Sequence, residues 1–140
     1  MIGTDMPNIA GPLVGRRILL VEDEYLIAME MERWLRDAGA EVIGPVPSVE
    51  QALDLIEDEG APDVAILDVN LGYDERVFPV ADRLDGLGVP YLFATGDMRI
   101  LKDPRYEYCP RLEKPILSSE LVAAAEKLVG TSQRDERRSA

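Results

Sequence analysis

The chain has 140 residues, enough for one domain with a substantial buried core. Its formal net charge of -12 repels phosphate backbones, so direct binding of nucleic acid is not expected. The absence of histidine excludes a histidine-based catalytic triad, histidine-ligated zinc and a phosphohistidine within this chain. A single cysteine, Cys109, excludes an internal disulfide, and no apolar run is long enough to span a membrane. These features predict a cytoplasmic protein.

The first predicted elements are a strand and a helix that follow a leader. Residues 1–15 have no apolar period, and we expect them to be disordered. Residues 17–21 form a compact apolar run that predicts a strand and ends at an acidic cluster. From Leu26 onwards the apolar residues follow helical spacing, and Gly39 is the expected end of that helix.

The next segment predicts two further strands with a helix between them. Residues 41–44 are short and half apolar, as in a strand near the edge of a sheet. Ser48 and Gln51 form a capping box that opens a second helix. Residues 64–67 are all apolar, which is typical of a strand buried on both faces, and this run ends abruptly at Asp68.

A third helix and a fourth strand come next. The helix is predicted by four apolar residues at helical spacing, Val77, Val80, Ala81 and Leu84. Pro79 is compatible with the first turn of this helix. Residues 89–93 predict the fourth strand. Over residues 97–104 the pattern is weak, so we expect a fourth helix that is short or disordered.

The chain closes with a fifth strand and a last helix. Residues 106–112 are compatible with a strand, and Pro110 places it at an edge of the sheet because proline has no N–H to donate. Ser118 or Ser119 caps the last helix, which we expect to end at Gly130. The polar tail over residues 131–140 is expected to be disordered.

Strands that alternate with helices predict an α/β fold with a parallel sheet covered on both faces. Right-handed crossovers favour a flavodoxin-like (βα)5, doubly wound sheet with the strand order 2-1-3-4-5. We therefore predict one domain over residues 16–130, between the leader and the tail.

Polar side chains follow the predicted strands at the ends where such sheets place their chemistry. Glu22 and Asp23 follow the first strand, and Asp68 ends the third. Thr95 follows the fourth strand and Lys114 the fifth. Three carboxylates held close together repel each other, and a hard oxygen donor set favours Mg²⁺. The arrangement predicts transfer of a phosphoryl group to Asp68, with Lys114 and Thr95 as donors to the phosphoryl oxygens.

Four motifs resemble the receiver domains of two-component response regulators, over residues 16–129: L-L-V-E-D-E, I-L-D-V-N-L-G, F-A-T-G and E-K-P. The stretches V-F-P-V-A-D and G-V-P-Y-L-F-A-T-G further resemble the stand-alone receivers called the FAT GUY group. The resemblance implies that Asp68 is the phosphoacceptor and Asp23 a direct metal ligand. It implies that Glu22 acts through water and that the main-chain carbonyl of Asn70 is another ligand.

The resemblance also implies that Thr95 and Lys114 sense the phosphoryl group. Typical receivers carry an aromatic switch residue three positions before the lysine, where this chain has Arg111. The coupled motion of the threonine and the aromatic residue, which is usual in receivers, is therefore not assumed for this chain. The FAT GUY resemblance implies that this loss is a group trait, and we hypothesise that the segment 97–106 takes over the role.

The leading hypothesis is a single-domain response regulator that takes its phosphoryl group from a sensor histidine kinase, or slowly from acyl phosphates. Slow autodephosphorylation, rather than enzymatic turnover, follows from the resemblance. The protein would signal to a downstream partner protein or drain phosphate from a shared kinase. The alternative is a Mg²⁺-dependent phosphohydrolase of the haloacid dehalogenase type, but such enzymes need a second acid where this chain has Asn70. A third hypothesis is an interaction module with a vestigial acidic rim.

Overall fold

A computed structural model describes residues 11–97, 99 and 102–139 of the chain. One sheet of five parallel strands has the order β2-β1-β3-β4-β5, which confirms the flavodoxin-like prediction. The strands are β1 (Arg17–Val21), β2 (Glu41–Val46), β3 (Val64–Asp68), β4 (Tyr91–Thr95) and β5 (Arg111–Glu113). The helices are α1 (Tyr25–Asp37), α2 (Val49–Glu59), α3 (Phe78–Leu87) and α4 (Ser118–Ser139).

The sheet is covered on both faces, and β3 at its centre is buried along its whole length. Successive side chains of a strand point to opposite faces of the sheet. Val64 and Ile66 accordingly pack in the cluster that includes residues of α1 and α4. Ala65 and Leu67 pack in the cluster that includes residues of α2 and α3. This double burial explains the unbroken apolar run and leaves only the end of the strand, at Asp68, for chemistry.

The helices begin and end close to the predicted signals. Ser48 Oγ accepts a hydrogen bond of 3.2 Å from the N–H of Gln51, as the capping box predicts. Pro79 lies in the first turn of α3, where its missing N–H costs nothing. Gly39 has a φ of +103° directly after the end of α1, a conformation that favours glycine. Among the helices of the described residues, none is both long enough and apolar enough to cross a membrane.

Proline marks both edges of the sheet. The edge strand β2 contains Pro45, and β5 at the other edge follows directly after Pro110. The fifth strand is shorter than predicted, because residues 106–110 do not belong to it. Tyr106 instead closes a short 3₁₀ turn (Pro104–Tyr106) that the Asp103 side chain caps. This short turn overlaps the end of the segment 97–104, for which a short or disordered fourth helix was predicted. Met98, Ile100 and Leu101 of that segment lie outside the described residues.

The leader and the last helix differ from expectation where the structure describes them. Residues 1–10 of the predicted leader and Ala140 of the predicted tail lie outside the described residues. Leu13 is fully buried, and its N–H donates a 2.9 Å hydrogen bond to the carbonyl of Ala38. The prediction that the last helix ends at Gly130 is wrong, because α4 continues to Ser139. A glycine inside a helix costs only about 1 kcal/mol, and Gln, Arg and Glu in the following residues favour the helix.

Candidate phosphoryl-acceptor site

The candidate side chains meet at one rim of the sheet, because the carboxyl ends of parallel strands share an edge. A cleft of about 310 Å³ opens there. Its lining comes from the segments that follow β1, β3, β4 and β5: Asp23, Glu24, Asp68, Asn70, Gly72, Gly96, Asp97 and Lys114. Four of the six predicted site residues therefore face a common space. Glu22 lies beneath it as a buried neighbour of Lys114, and Thr95 is fully buried beside it.

Three carboxylates form the acidic part of the site. One oxygen from each of Glu22, Asp23 and Asp68 lies within 4.8 Å of the others. Glu22 is 3% exposed and Asp68 is 4% exposed, so two of these groups are almost removed from solvent. Hard carboxylate oxygens at this spacing, with neither histidine nor thiolate among them, fit a Mg²⁺ ion.

The surroundings of Asp68 oppose its ionisation. Burial, followed by the charge of Glu22, raises the pKa of the Asp68 carboxyl to about 8, although the Lys114 ammonium acts in the opposite direction. A second cation at the site would relieve this repulsion and favour the ionised carboxylate. The donor set therefore fits a divalent cation in its charge as well as in its chemistry.

Lys114 is the cation that the chain itself supplies. Its Nζ lies 2.8 Å from Glu22 Oε1, 3.4 Å from Asp68 Oδ2 and 3.7 Å from Glu24 Oε1. Burial would lower the pKa of Lys114, but its hydrogen bond to Glu22 and the charge of Asp68 outweigh burial, and the pKa is raised. The ammonium therefore stays protonated at neutral pH.

Thr95 is buried beside the cleft and does not line it. Its Oγ1 accepts a 3.1 Å hydrogen bond from the N–H of Asp97 and donates one of 3.4 Å to the Asp97 carbonyl. The Thr95 carbonyl accepts the N–H of Lys114 at 2.9 Å, which ties β4 to the lysine. The hydroxyl is thus occupied by the backbone, and it would have to exchange these partners to reach a group on Asp68.

The loop between β3 and α3 shapes the remaining wall. Asn70 lines the cleft and forms an isolated antiparallel bridge with Arg76. Gly72 has a φ of +81°, and a Cβ built on it would lie 3.3 Å from Asp23 Oδ2. The glycine therefore leaves room for that carboxylate beside the cleft.

Sequence reasoning missed two acidic residues of the wall, Glu24 and Asp97. Glu24 belongs to the acidic run after β1 and contacts Lys114, so its place in that run was the available signal. Asp97 lies two residues beyond Thr95, and its contact with the threonine is made by backbone atoms. No residue-type pattern marks such a contact.

Comparison with known proteins supports the class that this sheet and rim define. SdrG from Sphingomonas melonis Fr1 is 40% identical, with a TM-score of 0.71, and the match covers 85% of this chain and 98% of that structure. The transcriptional regulatory protein PdtaR from Mycobacterium tuberculosis is 32% identical over 126 residues, 86% of this chain. The receiver domain of the response regulator PhyR from Erythrobacter litoralis is 24% identical and shares the fold, with a TM-score of 0.75 over 84% of this chain and 92% of that one. No protein-family model matches the chain.

The chain belongs to the family of response regulator receiver domains. It spans 60% of the length of PdtaR. Membership of this family places the chain in two-component signalling.

Proposed function

We propose that this protein is a switch controlled by phosphorylation of Asp68, with a sensor histidine kinase as phosphoryl donor and Mg²⁺ as cofactor. One observation carries the proposal: Asp68 ends a buried central strand in a 310 Å³ cleft, between an ammonium at 3.4 Å and an acidic pair within 4.8 Å. A lone surface carboxylate has neither neighbour. The membership of the chain in the receiver family supports the same assignment.

In the transfer step, an Asp68 carboxylate oxygen forms a bond to phosphorus while the bond from phosphorus to the donor's imidazole nitrogen breaks. Asp23, Asp68 and the Asn70 main-chain carbonyl would hold Mg²⁺, with Glu22 acting through water; when bound, the ion offsets the charge of the phosphoryl oxygens. Lys114 orients the same oxygens with its ammonium. The walls of the cleft exclude bulk water from part of the acceptor, since Asp68 is only 4% exposed.

Thr95 and Lys114 report the new state to the rest of the fold. A phosphoryl group on Asp68 adds negative charge and strong acceptor oxygens beside both residues. Thr95 Oγ1 exchanges its backbone partners at Asp97 for a phosphoryl oxygen, and Lys114 shifts away from Glu22. Thr95 ends β4 and Lys114 directly follows the edge strand β5, so the signal leaves the site through that side of the sheet.

The same motifs support an assignment to one group of receivers and an expectation about the partner proteins. The F-A-T-G sequence at the end of β4 and the similarity to SdrG support assignment to the FAT GUY receivers. We propose that the protein acts in the cytoplasm through contacts with other proteins, either on a downstream regulator or as a phosphate sink for a shared kinase. The net charge of -12 disfavours nucleic acid as a direct partner.

The proposal is tested by incubation with acetyl phosphate and Mg²⁺, followed by intact mass measurement. The wild type should gain the mass of one phosphoryl group, and Asp68→Asn should gain none. Asp54→Asn, an exposed carboxylate on α2, is the matched control and should behave as the wild type. A gain retained by Asp68→Asn would overturn the choice of acceptor. Sustained hydrolysis of p-nitrophenyl phosphate over many turnovers would favour a phosphohydrolase instead.

A further inference from the structure

Arg111 replaces an aromatic switch residue, and its guanidinium is occupied with the backbone of the preceding turn. Its Nε donates to the carbonyl of Cys109 at 3.2 Å, and one Nη donates to the carbonyls of Tyr106 and Glu107, the latter at 3.2 Å. Of these three carbonyls, that of Tyr106 also accepts the Cys109 N–H within the turn. The planar group with its five N–H donors contacts all three carbonyls at once, so Arg111 clasps the turn from β5.

The side chain of Tyr106 is the second attachment of the same turn. Its side chain is 1% exposed, and its ring stacks on Phe78 of α3 with centroids 4.6 Å apart and an interplanar angle of 12°. The edge of Phe93 in β4 meets it at 5.5 Å and 89°. The Tyr106 hydroxyl donates a 3.3 Å hydrogen bond to Asp82. Aromatic pairs in these arrangements contribute beyond their buried area, so the ring is a specific anchor.

Apart from Cys109, which is half-buried against the core, the other side chains of the turn contribute little to its attachment. We call residues 103–109 the plug turn, after the buried ring of Tyr106. Arg105 and Tyr108 are exposed, and the Asp103 pair with Arg105 is internal to the turn. Detachment of the plug turn therefore requires the loss of two anchors, the ring of Tyr106 and the clasp of Arg111.

The plug turn is attached to the two strands next to the residues that would sense the phosphoryl group, because the Tyr106 ring packs on Phe93 of β4 and Arg111 belongs to β5. Phe93 of β4 is opposite Arg111 of β5 in the sheet register, and Thr95 is opposite Glu113 two residues further on. The Phe93 N–H also donates to the carbonyl of Pro110 at 3.0 Å. A shift of either strand at the site therefore changes the fit of Tyr106 against Phe93 and the reach of Arg111.

We propose that the plug turn is the conformational output of this domain: phosphorylation of Asp68 loosens the Arg111 clasp and releases the Tyr106 ring from its pocket between α3 and β4. The inference rests on the proposed function for its trigger and on the described contacts for its mechanism. Release exposes the apolar surface of Phe78 and Phe93 as well as the ring itself, and so creates a patch absent from the unphosphorylated domain.

Cys109 supplies a built-in reporter for this motion. It is the single cysteine of the chain, it is half-buried, and its N–H donates a 3.1 Å hydrogen bond to the Tyr106 carbonyl. Its thiol lies 3.8 Å from the Tyr91 hydroxyl. Release of the plug turn separates the thiol from Tyr91 of β4, so the rate of thiol modification measures the open population.

The experiment compares the rate at which 5,5′-dithiobis(2-nitrobenzoic acid) labels Cys109 in folded variants. Without phosphorylation, Arg111→Ala and Tyr106→Ala should each react at least about tenfold faster than the wild type, because each loses one anchor. Lys102→Ala, an exposed residue just before the plug turn, should match the wild type. In the wild type, acetyl phosphate with Mg²⁺ should raise the rate by at least about fivefold.

Intact mass separates the outcomes of the two proposals. If Asp68 takes up phosphate but the Cys109 rate of the wild type does not change, the inference is overturned and the proposed function stands. If no phosphate is taken up, the proposed function fails, and equal rates for wild type and Arg111→Ala would overturn the clasp independently. Should either alanine variant fail to fold by circular dichroism, hydrogen exchange at the Tyr106 and Cys109 amides of the wild type gives the same comparison, with faster exchange expected after phosphorylation and unchanged exchange overturning it.

Discussion

Lys114 lies closer to Glu22 than to the proposed acceptor, since its ammonium is 2.8 Å from Glu22 Oε1 and 3.4 Å from Asp68 Oδ2. The two carboxylates therefore share one cation, and the nearer of them is not the proposed nucleophile. Glu22 raises the pKa of Asp68 by its charge and competes for the lysine as well. Any change that removes the charge of Glu22 should act on Asp68 through both effects.

Replacement of Glu22 by glutamine should lower the pKa of Asp68 from about 8 towards the ordinary range, because the repelling charge is lost while Lys114 remains. The measurement is a carbon NMR titration of the Asp68 carboxyl without Mg²⁺. Glu24→Gln is the matched control, since that side chain is 62% exposed and lies 3.7 Å from Lys114. An unchanged pKa in Glu22→Gln would contradict the coupling between the two acids.

Asp68→Asn should stabilise the metal-free protein at neutral and mildly alkaline pH. The folded state holds the Asp68 pKa at about 8, above an ordinary value of 3.8, so it binds more protons than the unfolded state between these values. Wild-type stability therefore falls as pH rises through this window, and the asparagine variant lacks that loss.

The advantage of Asp68→Asn should be near zero at about pH 4 and reach about 1–3 kcal/mol in the free energy of unfolding near pH 8. Urea unfolding at several pH values measures it, with EDTA present to remove divalent cations. Asp54→Asn should show no pH-dependent gain. A constant difference across the pH range would mean that Asp68 titrates normally in the folded protein.

Mg²⁺ should raise the thermal unfolding temperature of the wild type, because a ligand that binds only the folded state stabilises it by mass action. Asp23→Asn should weaken this effect by at least about tenfold in the Mg²⁺ concentration required, since it removes one of three clustered carboxylates. Thermal melts over a Mg²⁺ titration give the comparison. An equal loss in Asp54→Asn would attribute the effect to general charge screening.

Gly72→Ala should cost about 1–2 kcal/mol in the free energy of unfolding, because a φ of +81° disfavours any residue with a Cβ. It should also weaken Mg²⁺ binding, since the new Cβ would lie 3.3 Å from Asp23 Oδ2. Gly86→Ala is the control: the position is helical and open, so a gain of about 0.5–1 kcal/mol is expected. Chemical denaturation and calorimetric Mg²⁺ titration measure the two effects.

The sheet and the placement of most of the rim followed from the sequence, because both depend on local patterns. The apolar run before Asp68 and the apolar periods of the helices determine which faces are buried, and the right-handed crossover then leaves few strand orders. The meeting of Glu22, Asp68 and Lys114 is a consequence of that topology. It needs no knowledge of individual side-chain contacts.

The plug turn could not be predicted in the same way. The sequence prediction places Tyr106 in the fifth strand, yet its position depends on Phe78 and Phe93, which come from two other elements. Arg111 was recognised as a departure from the family, but its carbonyl partners are backbone atoms whose placement exists only in the folded chain. Propensity describes a residue with its sequence neighbours, and these contacts are tertiary.

The prolines at the two borders of the sheet limit how other chains can attach to it. A peptide that docks by extending a sheet needs a row of free N–H and C=O groups along an outer strand. Pro45 interrupts that row in β2, and β5 offers only three residues after Pro110. We therefore expect a partner protein to bind this domain through its helices and loops. The same prolines disfavour self-association of the domain through its edge strands.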